Sequence, residues 1–157
     1  MSEKHTPYDS REATREHIAR VQELMRDATT GLEERAIWHD WSKLEEPEKS
    51  IFDRATERLR GLTYGSDEYK ASLADMKPAL DHHYAANSHH PEHFEDGING
   101  MSLLDLIEML IDWKAATERH ADGDIVRSLE VVNNKRFHID PQLERILRNT
   151  ITEFGWD

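Results

Sequence analysis

The sequence predicts an all-α fold, a single-domain bundle of about six to seven helices. Apolar residues recur at spacings of three and four along most of the chain, which is the period of an amphipathic helix. The alternation of apolar and polar residues that marks a strand is nearly absent. The length of 157 residues suits one domain better than two, so we expect one domain over residues 1–157 with a frayed N-terminus at 1–9.

The first half of the chain is expected to form four helical stretches. Periodicity and breaking residues place them at about 10–29, at about 32–44, after Pro47, and from Ser66 to about 87. Gly31 separates the first two, and the segment from Gly61 to Gly65 separates the last two. Pro78 should split or kink the fourth stretch, because proline lacks the N–H that a helix interior needs.

The second half begins with a predicted loop at 88–100, which holds a proline and two glycines. The next helix, at about 102–120, starts with a capping box of Ser102 and Asp105 and is apolar on most sides. We therefore expect it at the centre of the bundle. Two shorter helices follow at about 124–134 and 141–154, the last one with Asp140 as its N-cap and Pro141 at its first position.

Composition excludes several classes of protein. Without cysteine there is no disulfide framework, thiolate zinc site, iron–sulfur cluster or cysteine nucleophile. A formal charge of −12 argues against polymeric nucleic acid and against an anionic membrane surface as partners. The start of the chain does not resemble a signal peptide, and no apolar run is long enough to span a membrane. We expect a cytoplasmic protein. A homodimer is one of the oligomeric states compatible with the sequence.

The histidines are unevenly distributed. Five of the ten fall within residues 81–93, where an even spread would place about one. They are His82, His83, His89, His90 and His93. This density favours a metal or substrate site, although histidines that cap helices and bond one another are the structural alternative.

Histidine and carboxylate residues also occur in apolar surroundings. His17 adjoins the apolar stripe of the first predicted helix and should face the core or its edge, as a ligand or as an ordinary core histidine. His39 and Asp40 are adjacent within the second predicted helix, between two tryptophans, and should be partly buried. Asp112 interrupts the most apolar helix. A buried carboxylate needs compensation, and a metal ion is the simplest source of it.

Two other carboxylates of the same helix have different explanations. Asp105 is accounted for as a first-turn residue, where a negative charge meets the helix dipole favourably. Glu108 either binds the cluster or holds a ligand histidine in place. Nitrogen and oxygen ligands without sulfur suit Mn, Fe, Co, Ni or Zn, bound as one ion or two.

The order of these residues resembles a known superfamily. His17, then His39-Asp40, then Asp112 is similar to the H…HD…D pattern of the HD-domain metal-dependent phosphohydrolases. The resemblance implies an HD-like helical domain in which these four residues are metal ligands. The segment H-D-W-S-K resembles the H-D-x-x-K variant, which implies that Lys43 binds substrate phosphate. An ordinary ion pair with an acidic neighbour is the alternative for Lys43.

The later histidines resemble the two-metal branch of that superfamily, which implies His83, His89 and His90 as further ligands. H-H-P-E-H-F-E-D-G at 89–97 is loosely similar to a run of the HD-GYP phosphodiesterases, but Pro91 is inserted and no G-Y-P follows. Cleavage of cyclic dinucleotides is therefore not implied. Together with the segment at 103–113, the motif at 83–93 resembles an uncharacterised group of small phage and bacterial proteins. This implies the cytoplasm of a bacterium or of a phage-infected cell.

The leading hypothesis is a metal-dependent phosphohydrolase acting on a small phosphorylated metabolite, most readily a nucleotide, through a metal-activated water. In this hypothesis Asp40, Lys43 and His89 have catalytic roles. Lys43, Asn87 and His93 bind the substrate, and Glu92 and Glu108 support the metal ligands. Two alternatives stay open: a di-iron oxygenase of HD type, and a non-catalytic interaction protein of phage or bacterial origin that a metal stabilises.

Overall fold

The structure, a computed structural model, describes residues 8–60, 67–119 and 122–157. These residues form helices and contain no strand, so the all-α prediction is confirmed. Contacts divide the chain into two compact units, residues 1–37 and residues 38–157. One domain over residues 1–157 stays a prediction, as does the frayed N-terminus, most of which lies outside the described ranges. Among the described helices, none combines the length and apolar character that a membrane span requires.

The first unit consists largely of α1 (Arg11–Trp38), a continuous helix of 28 residues that has no buried residue. The predicted break at Gly31 is wrong, because one glycine costs a helix only about 1 kcal/mol relative to alanine and good helix formers follow it. The expectation that His17 faces a core is also wrong, since His17 is exposed on α1.

The second unit begins where α1 ends, with His39 and Asp40 in a turn rather than within the predicted helix at 32–44. Asp40 has a φ of 56°, which is left-handed, and a short 3-10 helix follows it at Trp41–Leu44. A left-handed residue cannot continue the hydrogen-bond ladder of a right-handed helix, and aspartate is among the residues that tolerate this conformation. The adjacent pair therefore lies at a bend.

Four further helices follow: α2 (Glu48–Arg60), α3 (Asp67–Asp75), α4 (Lys77–Ala86) and α5 (Leu103–Thr117). The split near Pro78 is confirmed, because the chain turns at Met76 and the proline sits in the first turn of α4. The break predicted at Gly61–Gly65 lies outside the described residues. The capping box of α5 is confirmed by the Ser102 N–H to Asp105 Oδ2 bond of 2.8 Å and the Asp105 N–H to Ser102 Oγ bond of 3.2 Å.

Short helical segments complete the chain: α6 (Ile125–Arg127), a π-helical stretch at Ser128–Asn133, α7 (Asn134–Phe137) and α8 (Pro141–Glu153). Asp140 caps α8 as predicted, accepting a 2.8 Å bond from the Gln142 N–H. The core is apolar and joins α5 to this C-terminal region; its buried members are Met109, Leu110, Ile125, Leu129, Ile139, Leu147 and Ile151. α5 lines the core with one face and is not surrounded as predicted, because Leu103 and Ile111 on it are exposed.

Candidate metal centre

Histidines and carboxylates from five parts of the second unit converge on one site. These side chains come from the turn after α1, the first residue of α2, the helix α4, the loop after α4, and α5. The members are His39, Asp40, Glu48, His83, His89, His90, Glu108 and Asp112. Within the described residues, two of the groups with ligand atoms inside 4.8 Å of one another share Asp40: Asp40 with His83, His89 and His90, and Asp40 with His39 and Asp112.

The first group surrounds one oxygen of Asp40. Asp40 Oδ1 lies 3.2 Å from His83 Nε2 and 3.4 Å from His89 Nε2. His90 Nε2 lies 2.9 Å from His83 Nε2. The side chains of His83 and His89 are only 2% exposed. Ligands bound at about 2.0–2.2 Å to one divalent ion lie roughly 3–3.5 Å apart, so these separations suit a shared cation.

Two atoms in this group lack the partners that buried polar atoms normally have. Asp40 Oδ1 and His89 Nε2 are buried and have no hydrogen-bond partner among the described residues. Leaving a buried donor or acceptor unsatisfied costs about 1–3 kcal/mol. A cation between the two atoms satisfies both, and the set of one carboxylate and three imidazoles fits a transition metal.

The second group uses the other oxygen of Asp40. His39 Nε2 lies 3.7 Å from Asp40 Oδ2 and 3.6 Å from Asp112 Oδ1. These separations are too long for hydrogen bonds and leave room for an ion. Asp40 can therefore offer Oδ1 to the histidine-rich group. Its Oδ2, which also pairs with the Lys43 ammonium, can be offered to the group with His39 and Asp112.

Two buried or nearly buried carboxylates orient the imidazoles through hydrogen bonds to Nδ1, the ring nitrogen that faces away from the cluster. Glu108 Oε1 accepts the Nδ1–H of His39 at 2.9 Å and the Nδ1–H of His89 at 3.1 Å. Glu48, which is fully buried, accepts the Nδ1–H of His83 at Oε2 over 3.0 Å. A carboxylate oxygen accepts hydrogen bonds, so these contacts assign a hydrogen to Nδ1 of each imidazole. Nε2 of each ring is thereby directed into the cluster, where a metal that replaces any proton on Nε2 would meet its lone pair, as in metal-bound histidines.

The electrostatics of the site differ from residue to residue. Burial, together with the nearby imidazoles of His89 and His83, lowers the pKa of His90 to about 3, so this imidazole is neutral. The carboxylates of Asp112 and Glu108 raise the pKa of His39 to about 10. Burial opposes ionisation of Asp40, but the neighbouring groups of His83, His89 and Lys43 outweigh it and lower its pKa. Without a metal, protons on the imidazoles compensate the carboxylates.

Lys43 lies in the short helix after the turn. Its Nζ is 2.5 Å from Asp40 Oδ2, so the structure shows an ion pair with the central aspartate. The role of Lys43 at a substrate phosphate stays a prediction.

The other predicted residues lie in different places. His17 belongs to the first unit, and its ligand role stays a prediction. Asn87 donates to Ser42 Oγ at 2.9 Å and to the His83 carbonyl at 2.8 Å, so it braces the chain around His83. His93 is exposed, with Nδ1 2.9 Å from the Tyr84 carbonyl oxygen.

Two further expectations concern the surroundings of the site. Glu92, expected to support a ligand, is paired with Arg136. The two tryptophans beside the His39-Asp40 pair are largely exposed, Trp38 at 63% and Trp41 at 46%, so they do not bury the pair. α4 and α5 supply the neighbours of this pair instead.

Sequence reasoning missed Glu48, which contacts both His82 and His83. Its position directly after Pro47, in the first turn of a helix, is one where glutamate is common because of the helix dipole. No signal in the sequence distinguished this glutamate from an exposed one.

A cavity of about 330 Å³ opens beside the centre, with His90 and Asp112 in its wall. Both groups of candidate ligands therefore border the same space. As far as the described residues form this wall, it does not include Lys43, Asn87 or His93. A small molecule in the cavity would lie next to the centre.

Comparison with known proteins identifies a family whose function is unknown. No curated protein and no solved structure matches the chain. Residues 6–153 match a family of unknown function, DUF5662. This match covers nearly the whole sequence, and the chain therefore belongs to the DUF5662 family.

Proposed function

We propose that this chain is a metal-dependent phosphohydrolase that acts on a small phosphorylated metabolite. The observation that carries the proposal is the cluster around Asp40 Oδ1 and His89 Nε2, two buried atoms without hydrogen-bond partners in the described chain. Nε2 of His83 and Nε2 of His90 belong to the same cluster. Such a donor set suits Mn, Fe, Co, Ni or Zn.

The proposal includes two ions with Asp40 as their common ligand. The support for this is the division of its oxygens, Oδ1 toward three imidazoles and Oδ2 toward His39. When bound, divalent ions in such a pair supply activation of water and neutralisation of a phosphate oxygen. The residues of the chain provide the orientation: Glu48 and Glu108 hold the histidines, and Lys43 adds a positive charge beside Asp40.

Charge supports an anionic substrate despite the acidic sequence. The centre holds the carboxylates of Asp40, Glu48, Glu108 and Asp112, and Lys43 beside them. Two divalent ions would balance the carboxylates and leave the lysine charge in excess. Local charge of this kind, rather than the net charge of the chain, decides which ligands a site attracts.

The neighbouring cavity favours a catalytic site over a purely structural one. Structural metal sites are closed by protein ligands, whereas catalytic ones keep positions open to water or substrate. Here His90 and Asp112 border open space. The non-catalytic alternative predicts metal without exchangeable water, and the di-iron alternative predicts an iron-dependent visible spectrum with oxygen consumption.

The first experiment measures bound metal by elemental analysis and hydrolysis of a panel of phosphomonoesters, nucleotides included, with Mn, Co, Ni, Fe, Zn or Mg. We expect about two ions per chain and release of phosphate that a chelator abolishes. A preparation supplied with these metals that binds none would overturn the proposal. Oxygen consumption without phosphate release would favour the di-iron alternative.

Matched variants on α5 test the ligand assignment. Asp112→Ala should abolish hydrolysis and lower the metal content. Asp105→Ala should leave the metal content unchanged, because its carboxylate accepts hydrogen bonds from the Ser88 hydroxyl at 2.7 Å and from the N–H of Ser102, which caps the helix. Loss of that cap costs roughly 1 kcal/mol of stability. Full metal content in Asp112→Ala would contradict the assignment.

A further inference from the structure

The wall of the cavity beside the metal centre includes an arginine that the sequence analysis did not single out. Its wall contains His90 and Asp112 at one part and Arg136 of α7 at another. The ring of Tyr84 connects the two parts: its centroid is 5.0 Å from that of His90, and its hydroxyl accepts a 3.2 Å bond from Arg136 Nη2. The guanidinium and the candidate ligands therefore face one small space.

Arg136 is held in position but keeps donors available. Its Nη2 donates both to Tyr84 and to the carboxylate of Glu92, and its Cζ lies 4.7 Å from the ring centroid of Phe137. A guanidinium has five N–H donors, so among the described contacts Nε and Nη1 remain for another acceptor. The planar fork of an arginine matches the oxygens of a phosphate group.

The same wall offers an aromatic surface. Trp113 and Phe137 lie nearly parallel, with ring centroids 6.0 Å apart and an interplanar angle of 6°. Both residues line the cavity and are partly buried. A planar ring of a ligand could contact this pair by offset stacking, which contributes beyond the area that it buries.

The π-helical stretch shapes this part of the wall. Its first and last residues, Ser128 and Asn133, both line the cavity, and the Asn133 amide donates to Ser128 Oγ at 3.2 Å. A π-helical turn inside a helix is rare and occurs often at functional sites. Here it places two polar side chains beside the aromatic pair, and Arg136 follows in the next turn.

We propose that this cavity binds a phosphomonoester that carries a planar ring, with Arg136 on the anionic group and the Trp113–Phe137 pair on the ring. This inference rests on the proposed function, because the metal centre at His90 and Asp112 is what makes the cavity a reaction site. The residue that binds the anion in the cavity is then Arg136, rather than the Lys43 that the resemblance implied.

The test uses two phosphonates, whose carbon–phosphorus bond a phosphohydrolase does not cleave. Phenylphosphonate carries a ring, and methylphosphonate does not. Binding of each to the metal-loaded protein is measured by calorimetry. We expect phenylphosphonate to bind about 3- to 10-fold more tightly than methylphosphonate. Equal affinities would overturn the ring contact, and absence of binding by both would overturn the assignment of the cavity.

Variants of two neighbouring residues test the anion contact. Arg136→Gln should weaken the binding of both phosphonates by about 10- to 100-fold at unchanged metal content. Lys135→Gln removes the same charge from an exposed position outside the cavity wall and should change binding less than about 3-fold. Wild-type affinity in Arg136→Gln would overturn the role of Arg136.

A measurement on the unaltered protein covers the case in which Arg136→Gln fails to fold. Phenylglyoxal modifies arginines, and peptide mapping locates the modified ones. We expect phenylphosphonate to protect Arg136 and to leave the exposed Arg127 reactive; modification of Arg136 at an unchanged rate would overturn the assignment. Phosphonate binding without hydrolysis of any phosphomonoester would instead contradict the proposed function. An unchanged rate of hydrolysis in Arg136→Gln would contradict the role of Arg136 but not the proposed function.

Discussion

Replacing Glu108 by glutamine tests how the imidazoles of the centre are oriented. One oxygen of this carboxylate accepts hydrogen bonds from His39 Nδ1 at 2.9 Å and from His89 Nδ1 at 3.1 Å. Glutamine can keep its amide oxygen on both Nδ1–H groups, but this oxygen carries no formal charge. Both hydrogen bonds therefore weaken, and Nε2 of each imidazole becomes a poorer donor of its lone pair to a metal.

The size of the effect follows from these two contacts. Loss of a carboxylate that holds one ligand histidine lowers metal affinity by about 10- to 100-fold. Glu108 holds two ligands, one for each group around Asp40. We therefore expect Glu108→Gln to weaken the binding of metal by roughly 100-fold, equivalent to about 2.7 kcal/mol. The expected cause is weaker support of two imidazoles, not the loss of a ligand.

The assay is a metal titration against a chelator of known affinity, with the tautomers of the histidines followed by ¹⁵N NMR. Glu118→Gln, an exposed substitution just after α5, is the matched control and should leave affinity within about 2-fold. Wild-type metal affinity in Glu108→Gln would refute the reasoning. So would weakened binding in a variant whose ¹⁵N shifts at Nδ1 match those of wild type.

Three further outcomes follow from the geometry and the pKa shifts. Metal binding at pH 8 should release about one proton from His39, whose pKa is about 10 without metal; calorimetry in two buffers measures this, and a value near zero contradicts it. His90→Ala should bind one ion where wild type binds two, whereas Asp40→Ala should bind none; elemental analysis distinguishes them. Because protonated His39 stabilises the metal-free fold, stability should be full below pH 6.5 and fall by on the order of 2 kcal/mol toward pH 10. Denaturant melts in chelator check the fall, which should be absent in His39→Asn.

Sequence patterns predicted the helices well where local chemistry determines them. Ser102 and Asp105 form a capping box from their own side chains, and Asp140 with Pro141 starts α8 in the same local way. Gly31 was misleading for the opposite reason. A glycine weakens a helix without ending it, and whether the helix continues depends on the residues around it.

Most members of the histidine and carboxylate cluster could be predicted from the sequence, but the residues that support them could not. The density of histidines at 81–93 and the His39-Asp40 pair were visible as sequence features. Glu48 and Arg136 were not, because each is an ordinary helix residue until the fold brings it to His83 or to the cavity. Contacts that join residues 35 positions apart, as in Glu48–His83, or 52 apart, as in Tyr84–Arg136, leave no local pattern in a single sequence. Glu92, for its part, stands among histidines in the sequence but is paired with Arg136 in space.

The turn at Asp40 explains how two adjacent residues can serve one centre. Neighbouring side chains on a helix point about 100° apart, so within the predicted helix His39 and Asp40 would face different surroundings. In the structure α1 ends before them, and Asp40 takes a left-handed conformation. His39 Nε2 then lies 3.7 Å from Asp40 Oδ2, while Asp40 Oδ1 faces the histidines of α4 and its loop. A left-handed residue other than glycine costs about 1–2 kcal/mol, and it persists where the surrounding structure requires it. At Asp40 the left-handed turn accompanies the approach of Oδ1 to His83 and His89 and of Oδ2 to His39.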